Sequence, residues 1–337
     1  MRYQKVRLDA IGYELAPNVI ASAALESRLA PVYRALGMQP GQLEALTGIR
    51  ERRWWDPGFK LSAGAVRAGR KALAAAGVAA GELGALIYAG VCREASEPAT
   101  ACAVAAGLGV GPACAVYDLS NACLGVMNGI LEVANAVELG AMRAGLVVSC
   151  ESAREINESM IESMLKDPSM EHFRLSMATL TGGSGAAGVV VTDGSFGREG
   201  HKLLGGVCRT APEHHGLCRW QRDSMSTDAA AVLKYGVALG RETWQAFLPE
   251  LGWTAAAVDK TICHQVGAPH RSQVLGELGV PEDKDFQTYE YLGNIGTVSL
   301  PVSAAIAEER EFLRQGDKVA FLGIGSGLNC LMLGWEW

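Results

Sequence analysis

No C-x-x-C pair occurs among the nine cysteines at 92, 102, 114, 123, 150, 208, 218, 263 and 330, which argues against zinc ribbons and thioredoxin-like redox sites. Their odd number and scatter argue against a disulfide framework. Several sit in apolar runs, as reduced, buried cysteines do. No run reaches the roughly 18 to 20 apolar residues that cross a bilayer. The opening Met1-Arg2-Tyr3-Gln4-Lys5 leads into alternating residues rather than a signal-peptide core, so a cytoplasmic, reducing location is expected. There is no basic excess either. The net charge is −6, which gives no support for nucleic acid or a membrane surface as partner. An acidic chain can still hold an anionic ligand on a local patch.

What is present is an ordinary globular composition: 49% apolar, 20% charged and 41 glycines in 337 residues. Short β-branched runs alternate with alanine-rich helical stretches. Strands are expected at Ala85 to Ala89, Ala115 to Leu119, Leu146 to Ser149, Ala187 to Thr192, Thr261 to His264, Val319 to Gly323 and Cys330 to Trp335. Helices are expected at Ala63 to Ala76, Leu124 to Leu139, Ala229 to Leu248 and Val302 to Arg314. The alternation predicts an α/β protein with sheets buried between helices. A coarse repeat runs through it: strand, strand–helix junction, strand around Ile87, Cys123 and Val147, then again around Ile262, Asn294 and Ala320. Spacing alone leaves coincidence open. The stretch 151–180 reads as an inserted helical cap with Met160, Met164, Met170 and Met177. A methionine face can accommodate flexible chains, though core packing is the commoner use.

Four junctions bear chemistry. Cys123 lies where a strand runs into a small-residue helix, beside unsatisfied N–H groups and the positive end of a helix dipole, both of which favour thiolate. A buried structural cysteine is the competing reading. His264 follows a strand, where α/β folds display active residues; Asn294 sits between glycines at a helix start, which equally suits a plain cap. Gly323-Ile324-Gly325-Ser326-Gly327 offers N–H groups for an oxyanion, or merely a tight hairpin.

Taken together and in this order, these residues resemble the ketoacyl synthase III branch of the thiolase superfamily over essentially the whole chain, including Thr47 to Arg52 and Gly183 to Ala187. The resemblance implies a thiolase fold, a duplicated five-layered α-β-α-β-α sandwich with halves at 1–195 and 196–337, and a homodimer. Chain-initiating members read His-Gln-Ala-Asn-x-Arg; here His264-Gln265-Val266-Gly267-Ala268-Pro269-His270 lacks the Asn and Arg. With Arg93 to Thr100 and the ending Gly-Ile-Gly-Ser-Gly-Leu-Asn-Cys, the sequence is most similar to the OleA family, acyl-CoA:acyl-CoA condensing thiolases of olefin biosynthesis.

That resemblance implies non-decarboxylative Claisen condensation of two acyl-CoA thioesters to a 2-alkyl-3-oxoacyl-CoA. Cys123 would carry the acyl group, Cys123 and Ser326 N–H groups would hold the oxyanion, and His264 Nε2 and the Asn294 amide would stabilise the enolate. Glu97 would reach the partner subunit's site as base. No metal or resident cofactor is implied; coenzyme A thioesters are the substrates, and downstream pathway enzymes are further partners. Arg52, Arg53 and Arg219 are candidates for the coenzyme A phosphates, and Trp54, Trp55 and Trp220 for the adenine. The alternatives are a decarboxylative synthase using malonyl carrier protein, a pyrone- or resorcinol-forming enzyme, and, in a different class, a non-catalytic acyl-binding partner subunit.

Overall fold

The computed structural model describes residues 1–197, 199–221 and 223–337. Its strands in chain order are β1 (Arg7–Leu15), β2 (Asn18–Ala21), β3 (Glu51–Trp54), β4 (Ala85–Ala89), β5 (Ala115–Leu119), β6 (Ala144–Glu151), β7 (Gly185–Thr192), β8 (His201–Thr210), β9 (Cys218–Gln221), β10 (Ser224–Thr227), β11 (Lys260–Cys263), β12 (Lys318–Gly325) and β13 (Asn329–Glu336). The α-helices are α1 (Ser22–Arg28), α2 (Ala30–Leu36), α3 (Gln42–Thr47), α4 (Leu61–Ala76), α5 (Thr100–Leu108) and α6 (Gly125–Glu138). They continue with α7 (Arg154–Lys166), α8 (Met170–Ser176), α9 (Ala229–Leu251), α10 (Ala268–Leu278), α11 (Tyr289–Leu292) and α12 (Ser299–Glu309).

Strands β4, β6 and β7 are buried at every residue, so their near-continuous apolar sequences carry both faces of a covered sheet. Nine strands join in the order β11-β12-β13-β8-β1-β7-β6-β4-β5. The seam is between β1 and β8, where, among the described residues, only Arg7 with Lys202 and Leu8 with His201 pair. On either side lies the same topology. In the first half β1, β4, β5, β6 and β7 are the first to fifth strands, arranged third-second-fourth-fifth-first, and only the fifth runs against the others. In the second half β8, β11, β12 and β13 take the first, second, fourth and fifth places, again with only the fifth reversed. The third strand there has shrunk to a parallel bridge between Thr261 and Asp285. Spacing alone left the repeat open because a strand of one bridge has no sequence signature.

Helices separate the sheets into layers. Between the two halves lie α6, through Val126, Ile130, Val133 and Val137, and α12, through Leu300, Ala304 and Ala307; they share one core with Val147 and Val189 on one side and Ile262, Phe321 and Leu333 on the other. Outside the first half α4 and α5 lay Ala65, Ala68, Ala72 and Val104 on Leu86, Leu146 and Val190. Outside the second, α9 and α10 lay Leu239, Phe247 and Leu275 on Ala320, Leu322 and Met332. The order is therefore α-β-α-β-α, as expected. Gly188 in β7 and Gly69 in α4 meet backbone to backbone, so a side chain at Gly188 would push the helix off the sheet.

The 151–180 stretch folds as α7, α8 and a following 3₁₀ turn. Met160 and Met164 are buried with Leu25, Val32, Tyr33, Trp54 and Phe173, packing the cap against α1 and α2. These two methionines are core, and only Met170 of the four is largely exposed. No helix among the described residues is long and apolar enough to cross a membrane.

Candidate active site

The two middle-layer helices begin at the two junctions that follow the third-strand positions, and this places their leading residues face to face. At the first, Asn121-Ala122-Cys123-Leu124 turns so sharply that Ala122 takes a positive φ of 47°, a conformation an alanine holds only when its surroundings enforce it. The turn is pinned by side-chain amides: Asn121 donates to Asn128 Oδ1 at 2.8 Å and accepts from Asn329 Nδ2 at 3.3 Å. At the second, Gly183 and Asn294 exchange a bond, Gly183 N–H to Asn294 O at 2.9 Å, while the Asn294 N–H reaches Thr181 O at 2.9 Å. Asn294 Oδ1 accepts the Gly296 N–H at 3.0 Å, which fixes the carboxamide and turns its nitrogen the other way.

A cavity of about 270 Å³ joins these junctions. Cys123, Asn294 and Ser326 all line it, along with Ala122, Gly296, Glu151, Cys218 and Trp220. Gly325 packs close to the Cys123 N–H, so the backbone of the β12 turn and that of the cysteine border one space. His264 is not among the residues lining this cavity: it is buried, and its Nδ1 lies 2.7 Å from Ser299 Oγ, which in turn lies 2.9 Å from the oxygen of the cavity-lining Gly296.

Electrostatics set the resting state. Burial, and secondly the charge of Glu151, push the Cys123 thiol up to about 12. The thiolate expected from the helix dipole is thus not the resting form: α6 begins at Gly125, two residues on, and desolvation outweighs its field. Burial also pulls His264 down to about 3, with His270 adding a smaller repulsion, so its imidazole is neutral.

Glu151, at the end of β6, escaped the sequence reading, which placed it at the start of the cap. Its carboxylate accepts the N–H groups of Val91 at 2.9 Å and Cys92 at 3.1 Å, and that of Thr297 as well. Burial raises its pKa while these donors oppose the rise. An acid closing an eight-residue buried strand was the available signal.

The remaining expected residues fall elsewhere. Glu97 is exposed on the loop between β4 and α5 and does not line the Cys123 cavity of its own chain. Arg52 is 0% exposed and bonds Ile20 O and Ser22 Oγ, so it braces the β2–β3 ribbon and is not at a coenzyme A entrance. Arg53 donates to Ala16 O at 3.2 Å. Trp54 and Trp55 are buried. Of β9, Cys218 and Trp220 line the cavity, and strand alternation turns Arg219 to the opposite face. Trp220 and Val91 also border a neighbouring cavity of about 1150 Å³ that carries Lys60 and Arg93.

A duplicated five-layered sandwich with a cysteine and an asparagine presented from matching junctions defines a thiolase-fold acyltransferase. The 3-oxoacyl-(acyl-carrier-protein) synthase III C-terminal family matches residues 248–337. Acyl-CoA:acyl-CoA alkyltransferase of Shewanella oneidensis is 55% identical over 349 residues, covering all of both chains, and that of Xanthomonas campestris is 36% identical over 338 residues, again covering all of both. A solved structure of a cysteine-to-serine variant of X. campestris OleA with bound lauric acid and lauroyl-CoA superimposes with a TM-score of 0.96 at 36% identity, covering 99% of this chain and 100% of that one. The chain belongs to the acyl-CoA:acyl-CoA alkyltransferase (OleA) family of condensing enzymes.

Proposed function

We propose that Cys123 takes an acyl group from one acyl-CoA and that a second acyl-CoA, deprotonated at its α-carbon, displaces it to give a 2-alkyl-3-oxoacyl-CoA. The observation that carries this reading is the single cavity shared by Cys123, Asn294, Ser326 and the Trp220 wall. The N–H groups of Cys123 and Ser326 hold the tetrahedral oxygen, each donor being worth about 3 kcal/mol in comparable sites. The Asn294 amide and His264 Nε2 donate to the enolate oxygen. Glu97 of a second subunit supplies the base; its exposure and its absence from its own cavity fit a role in trans. It takes the α-proton, the carbanion forms the new C–C bond at the acyl carbon, the Cys123 sulfur leaves, and the proton returns to that sulfur.

The unpaired edge of β5 supports a homodimer. Tyr117 is 40% exposed on it, and the strand leads directly to Cys123, so pairing of two such edges would bring both sites together. Lys60 and Arg93, on the outer cavity, replace Arg52 as the cations suited to coenzyme A phosphates. We further assign the two sandwich halves to 1–195, carrying the cap, and 196–337.

The test is product analysis with acyl-CoA alone and with malonyl thioesters. Condensed product from acyl-CoA alone supports the reading; a strict need for malonyl thioester replaces it with decarboxylative synthesis. Intact-protein mass spectrometry should show an acyl adduct on Cys123 that Cys123→Ala lacks. Acyl-CoA binding with neither adduct nor product would mark an acyl-binding subunit instead.

A further inference from the structure

Glu151 is 4% exposed and spends its carboxylate on the backbone of two loops. Oε1 accepts the Val91 N–H at 2.9 Å, Oε2 accepts the Cys92 N–H at 3.1 Å, and the Thr297 N–H joins them. Two consecutive N–H groups, each on its own oxygen, fix a segment in direction as well as position, as a bidentate pair does. Val91 and Cys92 open the segment that leaves β4 and carries Glu97; Thr297 belongs to the loop of Asn294. One buried carboxylate therefore joins the root of the first loop to the second.

The far end of the Glu97 segment is held in the same manner. Asp118, on β5, accepts the Thr100 N–H at 3.0 Å and the Ala101 N–H at 2.8 Å where α5 begins, and Thr100 Oγ1 accepts the Glu94 N–H at 3.3 Å. Glu97 hangs between these two clamps, exposed. It lies five residues beyond Cys92, a reach of up to about 17 Å in extended chain, so where its carboxylate arrives depends on how firmly the root is held.

We propose that Glu151 is a positioning residue for the neighbouring subunit's reaction: the carboxylate in one cavity roots the loop that delivers Glu97 to the other. This rests on the reading that Glu97 acts in trans and deepens it. Removal of the α-proton needs the base within hydrogen-bond reach of that proton, and a misplacement of about 1 Å can cost on the order of a hundredfold. Acylation of Cys123 does not use this base. Loosening the clamp on one chain should therefore spare acylation and slow condensation on the other.

The test places the substitution in a chosen subunit. Two chains with different affinity tags are co-expressed and the mixed dimer is purified: the first carries Glu97→Ala, the second Cys123→Ala. The one complete site pairs Cys123 of the first chain with Glu97 of the second. Glu151→Gln is then added to the second chain only. Glutamine keeps the size, but one of its two terminal atoms becomes a donor, so it cannot accept both N–H groups. The working cavity retains its own Glu151, and the altered chain has no Cys123 thiol for the lost charge to act on.

Condensation should fall about tenfold or more relative to the reference pairing, while rapid-quench acylation of Cys123 stays within about twofold, so that acyl-enzyme accumulates. Glu151→Asp, which withdraws both oxygens by one methylene, takes the place of glutamine if that chain does not assemble. Unchanged condensation overturns the proposal. So does acylation that falls in step with condensation, since that loss would come from the fold at large. If the reference pairing acylates but yields no condensed product, the trans reading falls first and this inference with it.

Discussion

The Thr297 hydroxyl accepts the Val126 N–H at 2.7 Å, tying the first turn of the helix behind the nucleophile to the loop of Asn294, 171 residues away in sequence. A helix's first N–H groups lack partners within the helix, and here one is satisfied by the opposite half of the fold. The bond therefore serves both as a cap and as a spacer between the two reacting junctions.

Replacing Thr297 by valine keeps the shape and removes the acceptor. We expect a loss of about 1 to 2 kcal/mol in unfolding free energy, together with slower acylation. Denaturant unfolding measures the first and rapid-quench mass spectrometry the second. An unchanged unfolding midpoint would show that water replaces the cap.

Glu151→Gln removes the charge that is the second cause of the raised Cys123 thiol. The midpoint of the pH profile for iodoacetamide alkylation of Cys123 should fall from about 12 toward the ordinary thiol range, and alkylation at pH 8 should quicken. A midpoint that stays put would assign the whole elevation to burial.

Glu97→Ala should retain the Cys123 acyl adduct and lose condensation. If the base acts in trans, refolding an equal mixture of Cys123→Ala and Glu97→Ala chains creates one intact site in each mixed dimer, recovering about a quarter of wild-type turnover. A mixture as dead as its parents would place Glu97 in cis.

His264 binds its proton far more weakly when folded than when unfolded, its folded value being about 3. Such a lowered histidine costs nothing above the unfolded value of about 6.5, and stability drains as pH falls below it, because only the unfolded chain takes up the proton. The drain is about 1.4 kcal/mol per pH unit, ending near the folded value. Thermal unfolding of His264→Gln against the wild type, from pH 7 to pH 4, isolates it. The variant should lose less on acidification; parallel curves would contradict the buried neutral imidazole.

Much of this was legible in the sequence. The seven expected strands all form, because each is a largely apolar or β-branched run; all but β5, an edge strand without a buried residue, lie largely buried in the sheet. Six others were missed: β1 and β8 mix glycine and charge with apolar residues, and the ribbons β2–β3 and β9–β10 are strands of four residues, too short for a pattern to stand out, the buried face of β3 holding Arg52 beside Trp54. Cys123, Asn294 and Ser326 could be named in advance because junction chemistry has a local signature. Glu151, Thr297 and Ser299 could not, since each acts through a partner brought in by the fold. Arg52 misled for the converse reason: nothing in a run of arginines says which one is taken inside.

The repeated strand order has an evolutionary corollary. Two separate copies of a half-length chain, docked about a twofold axis, would present the same residue twice across their seam. Joining them in one polypeptide frees the two facing turns to diverge, so that one keeps a sulfur and the other a carboxamide. Asymmetry of function is in this sense what the covalent link provides, and the vestigial third strand beside Thr261 marks how far the second copy has drifted since.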